Sequence, residues 1–224
     1  MPSTRSVLVE AQRLDGWLAR FADRNGSYTV HPAADRTDGS LSVVAENGCR
    51  ALLAPPLPQP RPPATSGAEA AAADLVAGLT SAIDVTAAVG LLLIRRGGYS
   101  VGVARAGQIL SSKTGTRYVQ GKTAAGGWSQ QRFARRRANQ ADALVEETAA
   151  RAAALYGVDR PSCLQLGGDR ALASAVLDER ILAPYAALPQ VPFLTVPDPR
   201  FAVLKEAART ALSVRITVTD APED

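Results

Sequence analysis

Two glycines, an aromatic residue and two glutamines run directly into a block of arginines: Gly126-Gly127-Trp128-Ser129-Gln130-Gln131-Arg132, then Arg135, Arg136 and Arg137. Paired glycines let a backbone approach a ligand closely and take conformations closed to other residues. A glutamine is no general base at neutral pH, but its amide can hold a water or an oxyanion by hydrogen bonds. Chemistry that works by positioning rather than by proton abstraction suits a substrate already activated, such as an ester. A polar loop that contacts RNA without catalysis is the other reading of the same composition.

Charge favours a polyanionic partner. The window 85–141 holds ten of the chain's 25 Lys/Arg and none of its 21 Asp/Glu. Outside it, 15 basic residues stand against 21 acidic ones, so the overall +4 conceals a basic segment on an acidic body. Solvated helix faces normally mix charge signs. Here Arg132, Arg135 and Arg136 share one helical face with Arg137 beside them, and Asp142 is the next acid. Phosphate contacts are the better reading, with Lys113, Arg117 and Lys122 extending them toward the N-terminus. Trp128 and Phe133 either stack on a base or anchor the loop.

Other chemistries lack their residues. His31 is the lone histidine, so no Ser-His-Asp arrangement can be built. Cys49 and Cys163 have neither paired spacing nor an obvious base, and read as small buried residues. No Gly-x-x-x-x-Gly-Lys-[Ser/Thr] loop occurs, and Gly167-Gly168 after a strand reads as a tight turn. No metal and no cofactor are expected. Neither a signal peptide nor an apolar run of about 20 residues is found, so a soluble, cytoplasmic protein without a membrane partner is expected.

The positioning elements follow from periodicity. Leu14, Trp17, Leu18 and Phe21 predict a helix over 9–23, ended by Asn25-Gly26. Short strands follow at 27–31, 41–45 and 50–54, the last two joined through Asn47-Gly48 as a hairpin. Residues 55–63 hold six prolines and read as an extended spacer or exposed loop, and 66–79 as a short alanine-rich helix against the main body. Strands are then expected at 89–94, 99–105 and 108–112, the last continuing through 117–121. None of the first three contains Asp or Glu, which removes the carboxylate cluster that two-metal nuclease chemistry needs. A helix from about 129 to 156 with Gly157 as its C′ residue, a strand at 163–166 and a helix over 170–183 come next. A strand at 191–196, a helix at 199–212 with Phe201, Leu204, Ala208 and Leu212 inward, and a final strand at 214–218 complete the chain. This order predicts an α/β fold with a mixed, RNase H-like sheet over 66–224, preceded by a small α/β extension over 1–65.

The stretch from Lys113 to Gln140 resembles the core of the Vms-like release factors, in particular their actinobacterial and chloroflexi branch, regarded as peptidyl-tRNA hydrolases. The resemblance covers about residues 89–219. It implies an RNase H-like release-factor domain that hydrolyses the ester between nascent peptide and tRNA. Its partners would be the large ribosomal subunit at the peptidyl-transferase centre, peptidyl-tRNA and rRNA, with no DNA partner. Classical release factors carry Gly-Gly-Gln and the Vms-like group Gly-x-x-Gln. Gly127-Trp128-Ser129-Gln130 fits the latter, which makes Gln130 the candidate catalytic glutamine and Gln131 its nearest competitor. By the same resemblance Gln130 positions the attacking water, Gly126 and Gly127 fit the loop to the ribosomal pocket, and the arginines hold RNA backbone. Zinc-finger, ankyrin and ATPase-docking segments of eukaryotic members are missing, and residues 1–65 show no codon-reading motif. Codon-independent rescue is the implied role. By the same resemblance, cleavage of tRNA near its 3′ end, as in some eukaryotic relatives, is the alternative phosphodiester reading.

Overall fold

In the computed structural model the described residues are 3–60, 72–116 and 128–221, with side chains described throughout except along 128–139. The strands are β1 (Thr4–Val9), β2 (Tyr28–Pro32), β3 (Leu41–Ala45), β4 (Arg50–Ala54), β5 (Val89–Arg95), β6 (Gly98–Arg105), β7 (Gln108–Thr116), β8 (Cys163–Gly168), β9 (Gln190–Leu194) and β10 (Val214–Thr219). The helices are α1 (Leu14–Asn25), α2 (Ala72–Ser81), α3 (Trp128–Asp159), α4 (Arg170–Asp178), α5 (Ala183–Ala186) and α6 (Phe201–Thr210). They fall into two compact units, Met1–Val85 with Leu212–Asp224, and Thr86–Ala211.

That division differs from the expected boundary at residue 65. α2 places Val76 and Leu79 in the first unit's core, and β10 lies between β1 and β4 in the first unit's sheet. The reason is visible in the strands themselves. β10 alternates buried Val214, Ile216 and Val218 with half-exposed Arg215, Thr217 and Thr219, the pattern of a sheet covered on one face. β5, β6 and β8 are instead buried almost continuously, as strands covered on both faces must be.

The first unit is an antiparallel sheet in the order β1-β10-β4-β3-β2. Its buried side meets Leu14, Leu18 and Phe21 of α1 as well as α2. Trp17 stacks on Phe21 at 5.3 Å between ring centroids. Gly26 ends α1 at φ +84° and Gly48 turns the β3–β4 hairpin at φ +86°, both conformations that glycine adopts freely. Strand β1 has no counterpart among the expected elements. The proline-rich stretch is no free spacer where it is described: Pro55 and Pro56 are buried. Gln59 also donates from its backbone to Asp38 O at 3.1 Å and from Nε2 to Leu79 O at 3.3 Å.

The second unit is a mixed sheet in the order β7-β6-β5-β8-β9. β5, β6 and β7 run antiparallel, while β8 and β9 run parallel to β5. This is the expected RNase H-like arrangement, numbered 3-2-1-4-5 within the unit. α3 and α4 cover the face carrying Leu92, Ile94, Val101 and Val103. Leu204 of α6 lies over the other face, where a Cβ on Gly102 would come within 3.3 Å of it. The sheet is therefore sandwiched between helices.

Several boundaries move for local reasons. α3 passes through Gly157 and ends at Asp159, where Arg160 takes the left-handed conformation (φ +43°), donates to Tyr156 O at 2.9 Å, and is followed by Pro161. The helix expected over 170–183 breaks at Glu179, which is extended (ψ 129°), and resumes as a 3-10 turn and α5. Phe201 is 51% exposed rather than inward, with Ala207 joining Leu204 and Ala208 in the buried set. β9 stops at Leu194, two residues short of the expected end.

Candidate functional site

The loop and arginines singled out in the sequence are delivered by β7 on one side and α3 on the other. β5 and β6 form a two-residue hairpin in which Arg95 pairs with Gly98, and Gly98 pairs with Thr116 at the end of β7. The chain therefore leaves β7 at the sheet edge where β5 ends. At the opposite edge Ala106 and Gly107 turn β6 into β7 with φ +49° and +74°, the two positive angles of a tight hairpin that follows the strands' twist.

α3 is fastened to this sheet at two levels. Tyr99 is buried, and a Cβ on Gly115 would come within 2.5 Å of its ring. Only glycine at 115 leaves room for that ring. The Tyr99 hydroxyl then donates to Glu147 Oε1 at 3.0 Å. Burial, and after it the Glu147 carboxylate, push the Tyr99 phenol above its ordinary value, so it stays a donor. Four residues back along β7, Ser111 donates to Asp159 near the far end of α3. Inside the sheet, Ser100 Oγ and Thr114 Oγ1 share a hydrogen bond of 2.7 Å.

These two ties fix the direction of the helix. It runs antiparallel to β7, so its N-terminal turns continue past the edge where β7 ends. At 1.5 Å per residue Trp128 lies about 28 Å along the axis from Glu147. Among the described residues, the fully buried side chains of α3 begin at Leu144 and continue through Thr148, Ala149, Ala152 and Tyr156. Gln140 marks the transition, with a buried Oε1 that meets no hydrogen-bond donor among the described residues.

The sequence-derived candidates divide as follows. Lys113 is exposed on β7, opposite Val101. Trp128, Gln130, Gln131, Arg132, Arg135, Arg136 and Arg137 lie on the α3 backbone, with Gln130 in its third position. Helical spacing puts Gln130 and Arg137 in one longitudinal row with Leu144 and Thr148, and Arg132 and Arg136 in a different row. Gly126, Gly127, Arg117 and Lys122, together with the strand expected over 117–121, lie outside the described residues. Sequence reading missed Tyr99 and Gly115, whose partnership crosses two strands and carries no local signature.

The Gly167-Gly168 pair, expected as a tight turn, instead forms the end of β8, paired with Leu93 and Ile94 of β5. Gly168 has φ +100°, and a Cβ there would fall 2.1 Å from Ile94 O. Asp169 donates its own N–H to Ile94 O at 2.8 Å, and its carboxylate accepts from Ala171 N and Leu172 N. Two of the first amides of α4 are thus already taken by their N-cap. Among the described residues no group of three or more His, Cys, Asp or Glu is placed to hold a metal ion. No helix among them is long and apolar enough to cross a membrane.

Residues 87–217, more than half of the chain, match the family described as Actinobacteria/chloroflexi VLRF1 release factor. The chain belongs to that family. The VLRF1 match begins just before β5 and ends within β10, so it contains the whole second sheet and α3. Among solved structures, an archaeal translation termination factor, aRF1, is similar at 14% identity and a TM-score of 0.39, over 77% of this chain and 47% of that one. The Vms1 mitochondrial localization core is similar at 12% identity and a TM-score of 0.37, over 90% of this chain and 94% of that one. An archaeal protein follows at 14% identity and a TM-score of 0.34, over 73% of this chain and 48% of that one. This VLRF1-family chain thus spans about half the length of the archaeal termination factor. No curated protein matches it.

Proposed function

We propose that this VLRF1-family chain is a codon-independent peptidyl-tRNA hydrolase acting in ribosome rescue. Its substrate is the ester joining a nascent peptide to tRNA in the peptidyl-transferase centre of the large subunit. The observation that carries the reading is the position of the Gly-Gly-Trp-Ser-Gln run in a chain of a release-factor family. Its Trp128, Ser129 and Gln130 open a helix whose fully buried side chains, among the described residues, begin at Leu144, and four arginines follow on that helix. An arm of this kind reaches into a narrow RNA-walled pocket while the sheet stays outside.

In the proposed reaction Gln130 orients a water through its amide, and the water oxygen attacks the ester carbonyl carbon. The bond from that carbon to the ribose oxygen of the tRNA end then breaks. The water's protons leave to the released ribose oxygen and to solvent, giving a free peptide carboxylate and an intact tRNA hydroxyl. Gly126 and Gly127 allow the backbone to approach closely, and Arg132, Arg135, Arg136 and Arg137 contact phosphates of tRNA and rRNA.

The test is release of a labelled nascent chain from stalled ribosome–nascent-chain complexes, with the tRNA sized on the same gel. Gln130→Ala is expected to slow release by about a hundredfold or more, the cost of removing one positioned hydrogen-bonding group from such a site. Gln131→Ala is expected to stay within a fewfold of wild type. Peptide left on a tRNA shortened at its 3′ end would overturn hydrolysis in favour of phosphodiester cleavage. Undiminished release by Gln130→Ala would overturn the residue assignment.

A further inference from the structure

A second charged cluster lies on the body of the VLRF1 unit, on residues that are not part of the helical arm. Arg95 is the last residue of β5, Arg96 is the first residue of the following turn, and Arg170 opens α4 directly after β8. β5 and β8 are adjacent and parallel, with Ile94 opposite Gly168. The arginines therefore meet at the carboxyl ends of two neighbouring strands, where open α/β sheets characteristically hold ligands. All three are exposed.

Two of them are restrained by neutral groups. Arg95 Nη1 donates to Val196 O at 3.0 Å, and its Cγ passes within 3.1 Å of the place a Gly168 Cβ would occupy. The Arg170 guanidinium sits 4.2 Å from the centroid of the Phe193 ring. Among the described residues no carboxylate forms an ion pair with any of the three. Asp169, the nearest acid in sequence, is occupied in capping α4. Held guanidiniums without counter-charges lose little further freedom on meeting an anion, which is the physical content of a preorganised site.

We propose that Arg95, Arg96 and Arg170 form a second phosphate-contact site, which grips a ribose–phosphate backbone on the body of the molecule while the helical arm engages elsewhere. The proposal rests on the RNA-binding part of the reading above. An RNA strand suits it better than a free nucleotide. The first amides of α4 are partly consumed by Asp169, so no backbone cradle closes around a single phosphate, whereas spread arginines match phosphates in series. The edge is also the one from which the chain departs at Thr116, so one RNA surface can reach both this cluster and the arm.

The experiment measures affinity for large ribosomal subunits carrying peptidyl-tRNA as a function of salt. Each lost phosphate contact lowers the slope of log K against log salt by about 0.7 to 0.9. Arg96→Gln with Arg170→Gln is expected to reduce the slope by about 1.4 to 1.8, and the corresponding lysine pair to retain most of it. Arg96→Gln alone, whose side chain bonds to nothing among the described residues, is expected to reduce it by about 0.7 to 0.9 without touching the fold. An arm variant, Arg132→Gln with Arg136→Gln, runs beside them. An unchanged slope in both body variants, with a reduced slope in the arm variant, overturns this site and leaves the ribosomal reading standing. Failure of the wild-type protein to bind the subunits overturns both. If inorganic phosphate at millimolar concentration displaces the subunits from wild type and from Arg96→Gln/Arg170→Gln equally, the cluster is no RNA contact and the proposal falls.

Discussion

Gln130 and Gln131 sit next to each other on a helix, so their Cα–Cβ directions differ by about 100° around its axis. A reaction that depends on one positioned amide discriminates sharply between them, whereas a merely polar RNA contact tolerates either. Single residues elsewhere make equally sharp demands. At Gly168 the left-handed backbone and the approach of Ile94 O coincide, so Gly168→Ala is expected to cost about 3 kcal/mol, read as a lower denaturation midpoint. Asp38 accepts hydrogen bonds from Arg36 and from the Ser40 amide and hydroxyl, which hold its carboxyl well below the usual range. A carboxylate whose value is depressed in the folded state stabilises that state above its unfolded value, about 3.9, and the contribution fades as pH falls below it. Asp38→Asn should therefore cost about 1 kcal/mol at pH 7, with the difference from wild type shrinking below about pH 4 in thermal melts.

At the scale of elements, α3 owes its direction to the Tyr99–Glu147 and Ser111–Asp159 ties and to the seam that starts at Leu144. Tyr99→Phe keeps the ring against Gly115 and removes only the hydroxyl, so a loss of about 1 kcal/mol is expected. Gly115→Ala drives a methyl into that ring and should cost more, about 2–3 kcal/mol, in the same denaturant titration. Much of this element plan was legible in the sequence. The start of the long helix near residue 129 and the Asn47-Gly48 hairpin are local patterns, and both elements stand where those patterns put them. The end of α3 was not, because Gly157 is tolerated inside a helix while the stop is set by Arg160 and Pro161. The arginine cluster was illegible for a different reason. Arg95 and Arg170 are brought together by parallel pairing of β5 with β8, and no local spacing records that. For the candidate site the sequence supplies residue type, and the structure adds the helix positions of Gln130 and the arginines.

At the scale of the molecule, the first unit is assembled from both ends of the chain. β10 separates β1 from β4 and buries Val214, Ile216 and Val218, each worth about 1.5–3 kcal/mol of apolar burial. A chain ending at Ala211 keeps the second unit's residues complete but leaves β1 without a partner strand. Hydrogen exchange on that shortened chain should show protection lost across β1 to β4 and retained across β5 to β9. Uniform protection in both sheets would contradict the division into these units. The misplacement of β10 in the sequence reading has the same origin, since sheet membership is decided by pairing across more than 150 residues.

The placement of β10 also has a consequence for the order in which the protein is made. β1 and β4 precede β10 in the chain, so the sheet begun by β1 lacks its interior member until β10 has been translated. The segment Thr86–Ala211 contains every strand of its own sheet and can close first. Of the two units the one begun first is completed last, and through that interval β1 and β4 present open edges that β10 is shaped to fill.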